Sequence, residues 1–307
     1  MNKKFFISVI CLGFVILCLS CCANITDNYN NLKSLTQSYN TDDINTKDTT
    51  LNSNKIDDLE KLVKRYDYDL NFLKYISIEC FNRQQYNTII EIYTIYIKKY
   101  PQNECLYNNR GNIYKMLKKY DEAIEDYKKA LSLNPKYVSP YIGEMNLYIM
   151  KGNDDKVLEI TNKIIELEPK YNDAYYWRGV VFYNKRKYSN ALSDFNLAIK
   201  FGLKNNQALY YLKGNILSMN NHYKLAIKNY RESIKIFNAR KEFIRDNVAI
   251  ADVYYNLGIS YIRIGKFKKA KESLITAAEY YKNLENKNNL KKVEDVINQL
   301  IITGAVR

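Results

Sequence analysis

The 307-residue sequence has little of the chemistry that makes tight turns, because it contains only 10 glycines and 4 prolines. It is rich instead in apolar residues, which make up 47% of the chain, and it has 30 tyrosines. A chain with enough apolar material for a large core but few turn residues is best accommodated by long helices with short connections. The composition therefore predicts an all-α fold.

Histidine is equally scarce. The only one, His222, lies in the polar stretch "MNNHY", which we predict to be a solvated turn. Beyond residue 22 the sequence has no glycine-rich phosphate loop, no Cys-x-x-Cys pair and no Ser/His/Asp set of the known hydrolase patterns. We therefore predict no catalytic residues, no metal site and no cofactor, and we expect that the protein is not an enzyme.

The charge of the chain is strongly basic. The formal charge is +14, and two of these units come from Lys3 and Lys4, in a segment that we expect to be removed. Such a charge can favour nucleic acid or an anionic surface. However, Lys, Asn, Tyr and Ile are all abundant, as expected when a skewed base composition drives codon choice. We predict no nucleic-acid partner.

The N-terminus has the layout of a secretory signal, which we place at residues 1–21. Two lysines precede an uncharged stretch that ends in small residues. The segment Leu19-Ser20-Cys21-Cys22 resembles the lipobox of bacterial lipoproteins, in which the cysteine after a leucine and two small residues receives lipid. The resemblance implies lipidation of Cys22, with Cys21 as the alternative acceptor, because Cys21 stands where the motif has Gly, Ala or Ser.

This N-terminus implies an exported, membrane-anchored lipoprotein of the bacterial cell envelope. Two alternatives remain open: cleavage near Ala23 would give a secreted protein, and the stretch 5–25 approaches the ~20 residues that span a bilayer, so it could anchor the chain uncleaved. Residues 22–53 are dominated by Asn, Thr, Asp and Ser. Such a stretch buries too little apolar surface to order itself, so we predict a flexible tether.

A period of 34 residues follows the tether. Pro101, Pro135 and Pro169 are spaced 34 residues apart. Gly111 stands inside a predicted helix, where glycine costs roughly 1 kcal/mol relative to alanine. Close approach of a second helix would offset that cost. Small and aromatic residues recur at fixed offsets around this glycine and around Gly179: Tyr107, Tyr114, Ala123, Tyr127 and Ala130 in one copy, Tyr175, Phe182, Ala191, Phe195 and Ala198 in the other.

These offsets resemble the tetratricopeptide repeat, a helix-turn-helix unit of 34 residues. In that family a glycine and an alanine allow two antiparallel helices to approach closely, and a proline ends the unit. The spacing of Tyr107, Gly111 and Tyr114 independently places them on one helical face, and "KKYDE" at 118–122 is a polar turn. The resemblance implies a right-handed superhelical solenoid.

With this template the chain divides into about six repeats between two capping helices. The third repeat has Met145 in the glycine position, and the fifth is some ten residues longer than usual. Each cap carries an apolar stripe suited to covering a terminal repeat. The stripe of the C-terminal cap consists of Leu290, Val293, Ile297, Leu300 and Ile301. The predicted boundaries are 54–69 for the N-terminal cap, 70–103, 104–137, 138–171, 172–206, 207–250 and 251–284 for the repeats of the array at 70–284, and 285–307 for the C-terminal cap.

Two cysteines of the array call for a geometric check, because exported proteins can form disulfides. In the repeat register Cys80 and Cys105 lie on parallel helices but nine positions apart. The resulting displacement of ~13 Å along the axis exceeds the ~7 Å limit between Cα atoms. We therefore predict no disulfide and expect Cys80 to be a core residue.

The resemblance also implies a binding surface, because in this family the first helix of each repeat lines a concave groove that holds peptides. Helical spacing turns the positions three before, one after and five after the glycine away from the partner helix. The candidate peptide-binding residues are Asn108, Asn112, Met116, Asn146, Met150, Tyr176, Tyr211, Asn215, Met219 and Tyr255.

These residue types suit an extended peptide. An asparagine amide can pair with a peptide group, tyrosine gives broad contact, and methionine adapts to varied shapes. The Lys and Arg of a terminal-carboxylate clamp are not evident. Because tyrosine and asparagine are common throughout the chain, these rows could also reflect composition alone.

The sequence thus favours a membrane-anchored scaffold that binds protein or peptide segments, in an envelope assembly. The alternative is a carbohydrate-binding lipoprotein, in which the groove tyrosines and Trp177 would stack on sugar rings. That alternative needs two coplanar exposed aromatics flanked by carboxylates. Asp173 and Asp252 are nearby, but the register places both at helix starts.

Overall fold

A computed structural model describes residues 54–239 and 247–305. Within these residues every regular element is an α-helix, and there are fourteen. The all-α prediction is confirmed. The predicted signal peptide, both candidate lipidation cysteines, the tether and most of the extra residues of the fifth repeat lie outside the described residues. The chain divides into two compact units, Met1–Leu167 and Glu168–Arg307.

The first unit contains seven helices in its described residues. The first of them is the predicted N-terminal cap, and the others form three helix pairs. We call the first helix of each pair an A helix and the second a B helix. The seven are α1 (Asn54–Arg65), α2 (Leu70–Asn82), α3 (Tyr86–Lys99), α4 (Glu104–Met116), α5 (Tyr120–Leu133), α6 (Val138–Met150) and α7 (Asp154–Leu167).

The second unit also contains seven helices in its described residues, three A–B pairs and a final cap. They are α8 (Asn172–Asn184), α9 (Tyr188–Lys200), α10 (Gln207–Met219), α11 (Tyr223–Ala239), α12 (Asn247–Arg263), α13 (Phe267–Asn283) and α14 (Lys287–Ile302). Helix α12 begins four residues before the predicted start of the sixth repeat. As a consequence Asp252 lies within the helix and not at its start, which corrects the register expectation.

Close helix pairing explains the glycines inside the A helices. A Cβ atom added at Gly111 would lie 2.9 Å from Cε1 of Tyr127, and one at Gly179 would lie 2.7 Å from Cε1 of Phe195. Both separations are shorter than van der Waals contact, so any side chain there would push the B helix away. The expectation that a second helix packs closely against Gly111 is confirmed.

The third repeat uses its glycine differently from the expectation. Met145, which stands in the glycine position, is buried, whereas Gly143, two residues earlier, is pressed against the preceding repeat. A Cβ atom at Gly143 would lie 2.5 Å from Cζ of Tyr127. The fully buried ring of Tyr127 is therefore held between Gly111 of its own repeat and Gly143 of the next.

The turns between A and B helices end the A helices with few glycines, because other residues occupy most of the left-handed positions. After each A helix one residue adopts a left-handed backbone, and in most repeats it is not glycine: φ is 61° at Lys118, 58° at Arg186 and 61° at Asn221. The next N–H then bonds back across the helix end, as from Lys119 to the carbonyl of Tyr114 at 2.9 Å. This is the Schellman arrangement that ends many helices.

The sole histidine follows the same pattern. His222 is exposed in the turn between α10 and α11, and its N–H donates to the carbonyl of Leu217 at 2.8 Å. Its predicted position in a solvated turn is confirmed. Cys80 is buried, as expected for a core residue, and Cys105 is partly exposed; neither forms a disulfide.

Both capping helices bury part of their apolar stripes. Val63 of α1 is fully buried in the core of the first unit. In α14, Val293 and Leu300 are buried in a core cluster that also contains residues of α11, α12 and α13, and Leu290 and Ile297 pack against that cluster. Ile301, which was expected to belong to this stripe, is 47% exposed, because it lies past the edge of the contact face.

Candidate functional site

The ten predicted binding residues lie on A helices and fall into two sets, one in each unit. Each set is therefore a separate candidate surface. The first unit carries five of them on α4 and α6, namely Asn108, Asn112, Met116, Asn146 and Met150; the second carries five on α8, α10 and α12, namely Tyr176, Tyr211, Asn215, Met219 and Tyr255.

The methionines at the ends of the A helices are strongly exposed. Met116 is 41% exposed, Met150 64% and Met219 56%, although Met145 is buried. Large apolar side chains exposed at the same position of several repeats are a feature of surfaces that contact other molecules. The unbranched thioether side chain also adapts its shape to different partners.

Three of the predicted contact residues are buried. Asn108 has no exposed surface, and its amide donates to Oδ1 of Asn109 at 3.2 Å. Tyr176 is 8% exposed, and its ring packs at 6.2 Å from that of Phe195. Asn215 is 9% exposed. All three side chains are covered in this structure, because helical spacing fixes the face of a residue but not how deeply neighbouring helices cover it.

In the second unit Tyr211 and Tyr255 line a common pocket of about 320 Å³, which we call the tyrosine pocket. Tyr211 comes from α10, and Tyr255 comes from α12 of the next repeat. The capping helix α14 closes one side. The complete lining is Tyr211, Asp252, Tyr255, Asn256, Tyr281, Asn289, Lys292 and Val293.

A hydrogen-bond network fixes the amide of Asn256 at this pocket. Nδ2 of Asn256 donates to Oδ1 of Asn215 at 3.1 Å and to the hydroxyl of Tyr211 at 3.4 Å. Oδ1 of Asn215 also accepts from the hydroxyl of Tyr230 at 2.9 Å. Asn215 therefore fixes the orientation of Asn256 without lining the pocket itself, and so acts as a positioning residue.

The only carboxylate lining the pocket is also held in place. The hydroxyl of Tyr281, which is buried, donates to Oδ1 of Asp252. Burial, together with the hydrogen bond to Asp252, raises the pKa of Tyr281 above its ordinary value. Burial also raises the pKa of Tyr211. Both hydroxyls consequently stay protonated at neutral pH and can act as donors.

Several lining residues were missed by the sequence reasoning: Asp252 was noted but placed at a helix start, while Asn256, Tyr281, Asn289 and Lys292 were not singled out. Part of the signal was available, because Asp252, Tyr255 and Asn256 have the i, i+3, i+4 spacing of one helical face. That signal depended on starting α12 early enough. The contribution of α14 depended on how the cap docks, which no spacing rule gives.

A second pocket of the same unit lies between the B helices α11 and α13 and has a volume of about 560 Å³. Its polar lining is mainly cationic, with Arg231, Lys235 and Lys269 beside Glu272. Ile234 of α11, with Leu257 and Tyr261 of α12, provides its apolar part. It contains none of the predicted binding residues.

The aromatic pair considered for sugar stacking does not have the required geometry. The rings of Tyr176 and Trp177 meet edge to face, with centroids 5.0 Å apart and planes at 63°, and Tyr176 is buried. In the part of the chain that the structure describes, no three His, Cys, Asp or Glu side chains are grouped for a metal ion. No helix among the same residues is long and apolar enough to cross a membrane.

Comparison with known proteins identifies the repeats. A family model of the tetratricopeptide repeat matches residues 105–137, and a second model of the same repeat matches residues 208–239 and 251–284. These stretches correspond to the predicted second, fifth and sixth repeats. No curated protein matches the sequence.

Solved structures of similar fold are also found. The chain is similar to YrrB, described as a TPR protein with an unusual peptide-binding site, with a TM-score of 0.54 and 21% identity over 66% of this chain and 99% of that one. It is also similar to a tetratricopeptide repeat protein from Parabacteroides merdae. The TM-score is 0.51 and the identity 20%, over 78% of this chain and 98% of that one.

A third such structure is PilW, described as a widely conserved type IV pilus biogenesis factor. Its TM-score is 0.52 and its identity 16%, over 73% of this chain and 97% of that one. At these identities the likeness shows the fold alone. Together with the family models it establishes that this chain contains tetratricopeptide repeats and has the all-α repeat fold of the proteins built from them.

Proposed function

We propose that the protein is an interaction scaffold that binds extended segments of other proteins on its A helices, with the tyrosine pocket as the principal contact of the second unit. One observation carries the proposal: two residues predicted to bind peptide, Tyr211 and Tyr255, come from successive repeats and line the same pocket. The pocket gives these two tyrosines a common surface that a ligand can contact.

The dimensions of the pocket suit part of a polypeptide chain. Its volume of about 320 Å³ is at the small end of the range for ligand sites. It is therefore large enough for one side chain or one chain end. The two tyrosines offer broad, stiff surfaces at a low entropy cost, and Asn289 adds an amide that can donate to and accept from a peptide group.

Two further points support peptide binding. The exposed methionines Met116 and Met150 give the first unit an adaptable apolar surface of its own. The structurally similar YrrB is described as having a peptide-binding site. We further propose that Cys22, or alternatively Cys21, carries lipid and anchors the scaffold to the bacterial envelope. This rests on the lipobox-like sequence, and the absence of an enzymatic activity likewise stays a prediction.

Carbohydrate binding is the second candidate, favoured by the combination of Tyr211 and Tyr255 with Asp252 and two asparagines in one pocket. Aromatic faces and planar polar side chains together suit a sugar ring. A glycan array separates the two candidates. Peptide binding predicts no glycan signal, whereas a sugar site predicts a signal that is lost on Tyr211→Ala.

A peptide array tests the leading proposal. The full chain in detergent is compared with Tyr255→Ala and with the control Tyr223→Ala, since Tyr223 lies at the start of α11 and lines neither pocket. We expect the Tyr255 variant to lose binding by about tenfold or more, and the control to bind as the natural protein does. Equal binding by all three proteins would contradict the proposal.

A further inference from the structure

The tyrosine pocket is lined by one acidic and one basic side chain, Asp252 and Lys292. Asp252 lies within α12 and is half-buried, with Oδ1 occupied by the hydroxyl of Tyr281. Lys292 is exposed on α14 at the pocket rim. Within the described residues neither side chain forms an ion pair. Because a lysine ammonium sits on a flexible stem and is strongly hydrated, Asp252 is the preorganised charge of this site.

The neighbouring amide presents an acceptor to the same space. Nδ2 of Asn256, which carries both amide hydrogens, already donates to Oδ1 of Asn215 and to the hydroxyl of Tyr211. An asparagine side chain has two donor hydrogens and one carbonyl acceptor. The side-chain oxygen Oδ1 of Asn256 therefore remains to accept a hydrogen bond from a ligand, in the same pocket as the carboxylate of Asp252.

The aromatic lining favours the same sign of ligand charge. Tyr211 and Tyr255 line the pocket next to these acceptors, and the face of an aromatic ring attracts cations such as ammonium groups. An ammonium carries three donors and no acceptor. A carboxylate oxygen, an amide carbonyl and a tyrosine ring are together a complementary set for it, whereas an anion would meet Asp252 as a repelling neighbour.

We propose that the tyrosine pocket binds a primary ammonium group of the captured polypeptide, supplied either by its free N-terminus or by a lysine side chain. This inference rests on the proposed function and makes it more specific. Asp252 and the carbonyl of Asn256 accept hydrogen bonds from the ammonium. Lys292 on the rim repels it, and thereby limits affinity.

Two isosteric variants give opposite expectations. Asp252→Asn removes the charge but keeps an oxygen that can accept from Tyr281, so the fold is preserved. We expect it to weaken binding about tenfold, as for a lost charge-assisted hydrogen bond. We expect Lys292→Gln to strengthen binding about two- to threefold, as for an exposed charge. Asp295→Asn and Lys291→Gln are the matched controls, because both residues are exposed on α14 and line neither pocket.

The probe is an array of synthetic peptides in three sets: lysine-free with a free N-terminus, lysine-containing with an acetylated N-terminus, and lysine-free with an acetylated N-terminus. We expect the full chain to bind the first or the second set at least tenfold better than the third. The set that binds identifies the source of the ammonium, and Asp252→Asn should remove the difference.

Two outcomes would overturn the inference alone: equal binding of all three sets, or stronger binding by Asp252→Asn together with weaker binding by Lys292→Gln, which would indicate an anionic ligand. In both cases peptide binding itself would stand. Failure of every set to bind would contradict the proposed function and this inference together.

Discussion

Two repeats place the same ion pair between their helices, with the aspartate buried and the arginine partly exposed. Nε and Nη2 of Arg110 donate to Asp126 at 2.8 and 2.7 Å, and the equivalent atoms of Arg178 donate to Asp194 at 2.8 Å each. In both repeats the arginine stands directly before the glycine of the A helix, and the aspartate lies sixteen residues after the arginine. Nη1 of Arg110 also donates to Thr94 of the preceding repeat at 2.9 Å.

Burial opposes both charges of the first pair. It raises the pKa of Asp126 in spite of Arg110, and it acts to lower that of Arg110, whose pKa is nevertheless raised overall by the hydrogen bond and charge of Asp126. The net value of the intact pair is consequently small. Replacing Asp126 is different, since Arg110, whose side chain is only 17% exposed, then keeps its charge without a carboxylate partner.

Asp126→Asn should therefore reduce the free energy of unfolding by about 3 kcal/mol, measured by urea denaturation at pH 7. The control is Glu166→Gln, which breaks the exposed pair of Lys163 and Glu166 and should change stability by less than about 1 kcal/mol. Equal effects of the two substitutions would show that the Arg110 pair has no special role.

Glu144 offers a stabilising substitution. Burial raises the pKa of this carboxyl, an effect only partly offset by Lys128 and Lys156. A carboxyl whose folded pKa lies above its unfolded value supports folding fully below the unfolded pKa and loses that support as pH rises through the folded pKa. At neutral pH the ionised group therefore opposes folding.

We expect Glu144→Gln to unfold at a higher urea concentration than the natural protein at pH 7, with a difference that shrinks as the pH is lowered towards 4. Denaturation series at several pH values measure it. A difference that grows on acidification would have the wrong sign for a carboxyl destabilised by burial.

At the scale of helices, the sequence predicted the pairing well and the pocket only in part. The glycine, aromatic and alanine offsets identify which faces pair, because only a small residue permits contacts such as that of Gly111 with Tyr127. They do not give helix starts, and Asp252 was misplaced for that reason. Nor do they give the depth of cover, which decides that Asn108 is buried while Met150 is exposed.

The capping helix α14 is the element on which the end of the array depends. Leu300 is 6% exposed in the core with α11–α13, whereas Ile302, two residues later, is 83% exposed. Leu300→Ala should cost roughly 2–4 kcal/mol of unfolding free energy, and Ile302→Ala less than about 0.5 kcal/mol. Similar thermal unfolding of the two variants would show that α14 does not cap this unit.

For the molecule as a whole, the repeats are predictable from the sequence because each repeat contacts mainly its neighbours. The prediction of a lipid anchor, by contrast, rests on one short motif near the N-terminus. If the lipobox interpretation is right, mass spectrometry of the mature protein should find lipid on Cys22 as the new N-terminus, and Cys22→Ser should remove it. A chain that still begins at Met1, or one that begins near Ala23 without lipid, would contradict the proposed lipid anchor.

The central claim is that partners are held at the tyrosine pocket, and photo-cross-linking in cells tests it most directly. p-Benzoylphenylalanine is introduced in place of Tyr255, and in place of Tyr223 as the control. The account predicts a discrete cross-linked adduct from position 255 that is absent from position 223. An adduct from position 223 with none from position 255 would contradict it.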